Sequence, residues 1–126
     1  SMYNTPPCWC IYMLGLVLDW LESKGGIPGM EAIKHAKAQM LYDVIDSSRL
    51  FTCAVEPGSR SDMNVVFRTG NDELDAKFVK ESVEAGFTNL KGHRSVGGMR
   101  ASIYNAMPTE GVEKLCDFIK AFDKNN

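Results

Sequence analysis

The feature that most constrains this chain is an apolar stretch near its start, from Cys8 to Leu18. Thr5-Pro6-Pro7 precedes it, and threonine caps helices well while proline suits a first helical turn. Gly25-Gly26 follows, as at many helix ends. The sequence therefore predicts a helix from about Pro7 to Lys24, with Thr5 as its cap. Its apolar surface covers almost the full circumference, which is typical of a helix buried on several sides, so we expect a covering surface outside this chain.

The same stretch is too short to cross a bilayer, which needs about 20 apolar residues. It also lacks the basic region and the cleavage site of a signal peptide. The net charge is −2, without the basic footprint of a dedicated nucleic-acid binder. We therefore expect neither a membrane nor a nucleic acid as a partner. We expect a cytoplasmic protein, or an organellar one if a targeting segment lies upstream.

The four cysteines do not form a metal or disulfide pattern. Cys8, Cys10, Cys53 and Cys116 contain no CxxC pair, and His35 and His93 do not complete a zinc motif. Cys8 and Cys10 are predicted to be small buried core residues. The sequence thus predicts free thiols and no metal site.

The remaining elements follow from apolar periodicity and from turn residues. They are a helix from about Pro28 to Ile45, strands at Phe51–Val55 and Met63–Arg68, a helix from about Glu73 to Ala85, strands at Phe87–Leu90 and Met99–Tyr104, and a last helix to about Phe122. Lys37 is the polar exception in the stripe of the second helix, Val83 is predicted to point inward, and Thr109 is predicted to cap the last helix.

This order of elements predicts an α/β chain with an α+β layer arrangement, in which helices pack on one face of a small sheet. The length of 126 residues fits one domain.

The strongest functional candidate is the segment Lys91–Arg100, which joins two predicted strands. It holds three side chains that bind anions, His93, Arg94 and Arg100. Its glycines allow a close backbone approach to a ligand. An arginine can grip a carboxylate or phosphate through two parallel hydrogen bonds. Composition alone leaves an ordinary turn with solvated arginines equally open.

A second candidate is the start of the first helix, where Asn4 and Thr5 stand. Free backbone N–H groups and the positive end of the helix dipole suit a phosphate there. A simple helix cap is the commoner role of such residues. His35 is predicted to be a surface residue, and Asp62 and Asp72 lie in predicted turns.

These features together carry a resemblance to a known family. Asn4-Thr5-Pro6-Pro7 with its aromatic-rich helix, and the run from Asn89 through Lys91-Gly92-His93-Arg94-Ser95-Val96-Gly97-Gly98-Met99-Arg100 to Ala106, resemble phosphoserine aminotransferases. Val55-Glu56-Pro57 and Met63–Arg68 resemble the family as well, so the resemblance covers essentially the whole chain. The long run is specific, whereas Asn-Thr-Pro-Pro alone would be weak.

The resemblance implies the small C-terminal domain of a fold type I transferase that uses pyridoxal 5′-phosphate (PLP). Such enzymes move an amino group from glutamate to 3-phosphohydroxypyruvate in serine biosynthesis, as homodimers. Asn4 and Thr5 match residues that reach the cofactor phosphate of the other subunit. Arg100 matches the arginine that holds the substrate α-carboxylate. His93 and Arg94 match residues around the distal anionic group.

The resemblance also implies that this chain is incomplete for catalysis. In the family the lysine that forms the Schiff base with PLP lies upstream of the matched segment, and Lys91 does not match it. The implied organisation is one C-terminal domain over residues 1–126, with residues 1–26 as a helix leading in from a large domain. A stand-alone regulatory module that binds an anion through Arg94 and Arg100, and a dimerisation module, remain open alternatives.

Overall fold

A computed structural model describes residues 3–126 of the chain. Within that range the elements are α1 (Cys8–Ser23), α2 (Gly26–Ser47), a short 3-10 turn (Pro57–Ser59), β1 (Asn64–Phe67), α3 (Asp72–Glu84), β2 (Met99–Ser102) and α4 (Thr109–Asn125). The chain divides into two compact units. The first ends at Ile33 and the second comprises Lys34–Asn126.

Helix α1 confirms the predicted apolar helix, and Gly25 follows its end with a φ of 87°. The burial prediction is wrong: among the described residues of α1, none is buried, and both Cys8 and Cys10 are exposed. The side chains that would make a core helix remain uncovered, since Trp9 is 72% exposed and Leu14 57%. The apolar circumference of α1 therefore has no covering layer within the described chain.

The predicted cap of α1 is also wrong. The helix begins at Cys8, with Pro7 in the N-cap position, and no side chain within residues 3–126 caps it. The backbone N–H of Cys8 instead donates to the carbonyl oxygen of Pro6. The two prolines separate Thr5 from the helical backbone, which leaves its hydroxyl outside the cap.

The sheet of the second unit is a two-stranded antiparallel ribbon. Val66 of β1 lies opposite Arg100 of β2, and Asn64 lies opposite Ser102. Two further predicted strands are wrong. In Phe51–Val55 one residue, Thr52, forms a bridge to Arg68.

The other predicted strand, Phe87–Leu90, is interrupted by Asn89, whose φ of 60° departs from extended backbone. The nearest ladder pairing is a single bridge from the following residue, Lys91, to Met99. The segment therefore makes a turn into the loop that follows.

One face of the ribbon carries the core, as predicted. Its inward residues pack with α2, α3 and α4 in a single apolar cluster around Phe51 and Phe78. The four inward side chains of the ribbon are at most 3% exposed: Val65, Phe67, Met99 and Ala101. The α+β layer arrangement with helices on one face is thus confirmed.

Lys37 interrupts the apolar stripe of α2 yet is 0% exposed. Its Nζ donates to the carbonyl oxygens of Tyr104 at 2.9 Å and Met107 at 2.8 Å, and more weakly to that of Ile103 at 3.5 Å. Burial lowers the pKa of this ammonium. The side chain joins α2 to the segment that follows β2.

Helices α3 and α4 form where they are predicted, and two single-residue predictions on them are wrong. Asn71 caps α3, accepting from the backbone N–H groups of Glu73 and Leu74. Val83, predicted to point inward, is 60% exposed, because it lies on the face of α3 opposite Phe78 that fronts a groove. Thr109 is the first residue of α4 and Pro108 its N-cap, so the predicted threonine cap is wrong.

Candidate functional site

The Lys91–Arg100 segment forms a tight return into β2. The backbone N–H of Arg100 donates to Leu90, and that of Gly92 donates to Gly98, both at 2.8 Å. Gly92 must lack a side chain, because a Cβ there would overlap the carbonyl oxygen of Gly97. Gly98 has a φ of 63°, and a Cβ would come 2.9 Å from the carbonyl oxygen of Phe67. The glycines thus set the close return of this loop.

His93 and Arg94 lie at the tip of this loop and are exposed. The carbonyl oxygen of His93 accepts from the backbone N–H groups of Val96 and Gly97, which fixes the turn. The backbone N–H of Ser95 donates to His93 Nδ1 at 3.3 Å. With Nδ1 accepting this bond, Nε2 is the ring nitrogen that can donate to a ligand. The tip therefore presents an imidazole N–H and a guanidinium to solvent.

Arg100 lies on the ribbon face opposite the core and is partly buried. Its Nε is buried and has no hydrogen-bond partner within residues 3–126. A buried donor without an acceptor costs about 1–3 kcal/mol, so a ligand that accepts from Nε would be favoured here. An anion at this position would supply the missing acceptor.

The neighbours of Arg100 on this outer face were not found from the sequence. Ser102 and Asn64 share the face, and Asn64 Oδ1 accepts from Ser102 Oγ at 3.1 Å and from Tyr104 Oη at 3.3 Å. Asn105 Oδ1, three residues beyond β2, is a second buried side-chain atom without a partner in the described chain. The alternation of Asn64-Val65-Val66-Phe67 against Met99-Arg100-Ala101-Ser102 was the available signal, because period-2 residues share a face.

A groove of about 710 Å³ runs between α3 and the loop. His93 and Arg94 line it together, with Val79 and Val83 of α3 on the facing side. Arg100 is not among its lining residues. The structure therefore groups His93 with Arg94 and sets Arg100 apart on the outer face of the ribbon.

The loop nevertheless lies beside that outer face. Val96 of the loop and Val66, the cross-strand partner of Arg100, line one cavity of about 30 Å³. The outer face of the ribbon and the loop therefore adjoin at Val66, next to Arg100.

Asn4 and Thr5 belong to the first unit, and both are exposed. They precede the start of α1, whose first turn carries no acidic residue among those described. Uncapped N–H groups, an amide and a hydroxyl with no acid nearby are compatible with an anion. A role of Asn4 and Thr5 at the cofactor phosphate stays a prediction.

Other side chains of the described range do not gather into a site. His35 is 67% exposed and lies 3.5 Å from Asp62, as the surface prediction has it. Within residues 3–126, no three His, Cys, Asp or Glu side chains are placed to hold a metal ion. Over the same residues, none of the helices has the length and apolarity needed to cross a membrane.

Comparison with known proteins relates the chain to one family. The family described as "Aminotransferase class-V" matches residues 1–115. A phosphoserine aminotransferase of Listeria monocytogenes is 56% identical over 122 residues, covering 97% of this chain and 34% of its own length. One from Leptospira biflexa is also 56% identical, over 126 residues, covering 100% of this chain and 34% of its own.

Solved structures give the same relation. Phosphoserine aminotransferase from Bacillus circulans subsp. alkalophilus superposes with a TM-score of 0.94 at 49% identity, covering 98% of this chain and 34% of that protein. The PLP-bound enzyme from Trichomonas vaginalis gives 0.87 at 42% identity, covering 94% of this chain and 34% of that protein. The chain therefore spans about a third of the length of the proteins that it resembles.

Proposed function

Because this chain belongs to the class-V aminotransferase family, we propose that it is the C-terminal part of a phosphoserine aminotransferase. The parent transfers the amino group of glutamate to 3-phosphohydroxypyruvate. The observation that carries the proposal is the buried, unpartnered Nε of Arg100 on the outer face of the ribbon. It is the donor expected where an α-carboxylate binds.

Arg100 binds and orients the α-carboxylate in this proposal. The β1–β2 pairing fixes its backbone, and its Nε is already removed from water. The cost of desolvating Nε is therefore met in the folded chain before the substrate arrives. Both substrates carry an α-carboxylate, so one arginine serves both halves of the transfer.

His93 and Arg94 bind the distal anionic group. Their position at the tip of a glycine-rich return exposes both side chains in one groove. The imidazole Nε2–H and the guanidinium are complementary to a phosphate or to the distal carboxylate of glutamate. The separation of this pair from Arg100 suits a substrate with an anion at each end.

The residues present fit PLP as the cofactor. Asn4 and Thr5, at the uncapped and acid-free start of α1, would hold the cofactor phosphate. PLP, when bound, supplies the electron sink for the amino transfer, while the protein supplies orientation and charge. Among residues 3–126 there is no group of side chains that could hold a metal ion, and the proposed roles do not require one.

The chain is inactive alone in this proposal, because the Schiff-base lysine lies in the remainder of the parent. Residues 1–126 form the C-terminal domain and residues 1–26 lead in from a large domain. The exposed apolar surface of α1 supports this organisation, since Trp9 and Leu14 would be covered there. The span of about a third of each relative supports it as well.

The parent is further proposed to be a cytoplasmic homodimer, in which Asn4 and Thr5 reach the cofactor of the other subunit. Its partners are small-molecule substrates, without nucleic acid or membrane. Size-exclusion chromatography with light scattering on the parent would measure twice the monomer mass.

The decisive experiment compares the parent, expressed from the complete gene with PLP, with the 126-residue chain. We expect the parent to show the visible absorbance of bound cofactor and to form 2-oxoglutarate from glutamate when 3-phosphohydroxypyruvate is present. The shorter chain, with the same cofactor and substrates, should do neither.

Turnover by the 126-residue chain would contradict the proposal that it is inactive without the Schiff-base lysine. A native gene product of only this length, without cofactor absorbance, would rule out the aminotransferase function. It would leave a module that binds an anion through Arg94 and Arg100.

A further inference from the structure

Asn64 occupies a defined place beside Arg100. It begins β1 on the outer face, directly opposite Ser102 and diagonal to Arg100. Diagonal neighbours on one face of an antiparallel pair are about 7–8 Å apart, within reach of a long side chain. A small anion between the two side chains could therefore contact both.

The amide of Asn64 is held in one orientation. Its Oδ1 accepts from Ser102 Oγ and from Tyr104 Oη, which occupies both lone pairs of that oxygen. Within residues 3–126 these are the side-chain hydrogen bonds of Asn64, so Nδ2 keeps both of its hydrogens free. Two hydroxyls thus orient a neutral N–H donor on the face that carries Arg100.

A carboxylate has room for this donor. Its two oxygens offer about four acceptor sites, and one arginine uses two of them. The remaining sites need further donors once water is excluded. Nδ2 of Asn64 is such a donor. Because the amide is neutral, it does not disturb the pairing of the arginines with the anionic groups of the substrate.

We propose that Asn64 binds the substrate, donating from Nδ2 to the same α-carboxylate that Arg100 holds. Ser102 and Tyr104 are positioning residues that fix the amide. The inference rests on the proposed function and adds a residue that determines selectivity for a planar carboxylate. It opposes the simpler view that Asn64 only ties two hydroxyls to the strand.

Variants of Asn64 separate the two views. Asn64→Asp keeps an oxygen for both hydroxyls but replaces the donor by an anion, which repels the carboxylate and pairs with Arg100. Asn64→Ala removes both functions without adding charge. Because Asn64→Asp disturbs Arg100 under either view, Asn64→Ala separates them. If Asn64 donates to substrate, Asn64→Ala loses more kcat/KM than removal of the two hydroxyls does; if Asn64 only anchors the hydroxyls, the two losses are equal.

The experiment measures kcat and KM of the parent holoenzyme for each substrate, together with the melting temperature. We expect Asn64→Ala to lower kcat/KM about 10-fold and Asn64→Asp about 100-fold, since one hydrogen bond to a charged group accounts for about 10- to 100-fold. The loss should fall on both glutamate and 3-phosphohydroxypyruvate, because both carry the α-carboxylate. The double variant Ser102→Ala with Tyr104→Phe, which keeps Nδ2 but frees the amide to rotate, should lose about 3-fold.

The outcomes separate the two proposals. A parent without transaminase activity, or one unaffected by Arg100→Met, overturns the proposed function and this inference with it. An active parent in which Asn64→Asp behaves as wild type overturns this inference alone. If Asn64→Asp does not fold, Asn64→Ala decides: an unchanged KM for both substrates contradicts the direct contact.

Discussion

Successive side chains of the β1–β2 ribbon alternate between two faces, and these faces differ in polarity, in burial and in hydrogen bonding. The inner face is apolar and closed by three helices. The outer face carries Asn64, Arg100 and Ser102, all partly exposed, and one of the two buried unpartnered atoms in the described chain. The difference shows how a strand separates stability from chemistry: alternate residues can be selected for packing and for ligand binding independently.

Truncating the inner face should give the largest effect on stability. Phe67 is 3% exposed, and its ring centroid lies 5.7 Å from that of Phe51 and 5.8 Å from that of Phe78. We expect Phe67→Ala to lower the free energy of unfolding by about 3–5 kcal/mol, because a cavity remains in a packed aromatic cluster. Urea unfolding of the 126-residue chain measures this.

The matched control is Val66→Ala, which truncates the neighbouring residue of β1 on the outer face. We expect it to cost about 1 kcal/mol or less, because its side chain is partly exposed and removes less packed area. Equal losses for the two variants would break the comparison between the faces.

Truncating the outer face should act on function instead. We expect Arg100→Met in the parent to lower kcat/KM about 100- to 1,000-fold, since two hydrogen bonds to a charged group are lost. Stability should stay the same or rise slightly, because a buried unpartnered Nε is removed. Enzyme kinetics and thermal melting of the same sample separate the two effects. A large fall in melting temperature would instead make Arg100 part of the packing.

Lys37 sharpens the comparison, because it is a charged residue on the buried side. We expect Lys37→Met to cost about 2 kcal/mol, since the carbonyl oxygens of Tyr104 and Met107 lose their donor inside the protein. Urea unfolding of both chains at neutral pH measures the loss. A variant as stable as wild type would show that packing by the methylene chain is the main contribution.

Titration gives this residue a separate signature. Burial lowers its pKa, so between the folded pKa and the ordinary lysine pKa the unfolded chain binds more protons than the folded one. In that alkaline window the free energy of unfolding of wild type should rise with pH relative to Lys37→Met. The difference between the two chains isolates the contribution of Lys37.

The smallest effect should come from an ion pair away from both faces. Arg60 donates to both carboxylate oxygens of Asp46, at 2.6 and 2.8 Å, and this hydrogen bonding lowers the pKa of Asp46. We expect Asp46→Asn to cost less than about 1 kcal/mol, because the Asp46 side chain is 50% exposed.

The cost should be present at neutral pH and disappear as the pH falls through the lowered pKa of Asp46. Urea unfolding at neutral and at acid pH checks this. A loss as large as that of Phe67→Ala would mean that the surface, not the inner face, dominates stability.

The sequence predicted what depends on local pattern. The helices α3 and α4 depend on residues within one or two turns, and both are confirmed. The strands at Phe51–Val55 and Phe87–Leu90 are wrong because pairing depends on a partner at the right distance, which propensity does not report. Asn89, in a left-handed conformation, is the local cause of the second error.

The site was partly predictable for the same reason. His93, Arg94 and Arg100 stand close together in the sequence, so one loop revealed them. Asn64 escaped because it reaches Arg100 only through the register of two strands. Cys8 and Cys10 were misplaced because a hydrophobic pattern predicts that a surface is to be covered, without saying by what.

The close return at Gly98 has a consequence for how this chain can change over time. Between Gly98, pressed against Phe67, and Arg100 there is a single residue, Met99, which points into the core. Adding or removing one residue there would exchange the two faces, placing a guanidinium among phenyl rings and a thioether on the outer face. Side chains of the loop can be substituted, but the number of residues between Gly98 and Arg100 must stay odd if Arg100 is to keep its face. An insertion tolerated between Gly98 and Arg100 would therefore have to add an even number of residues.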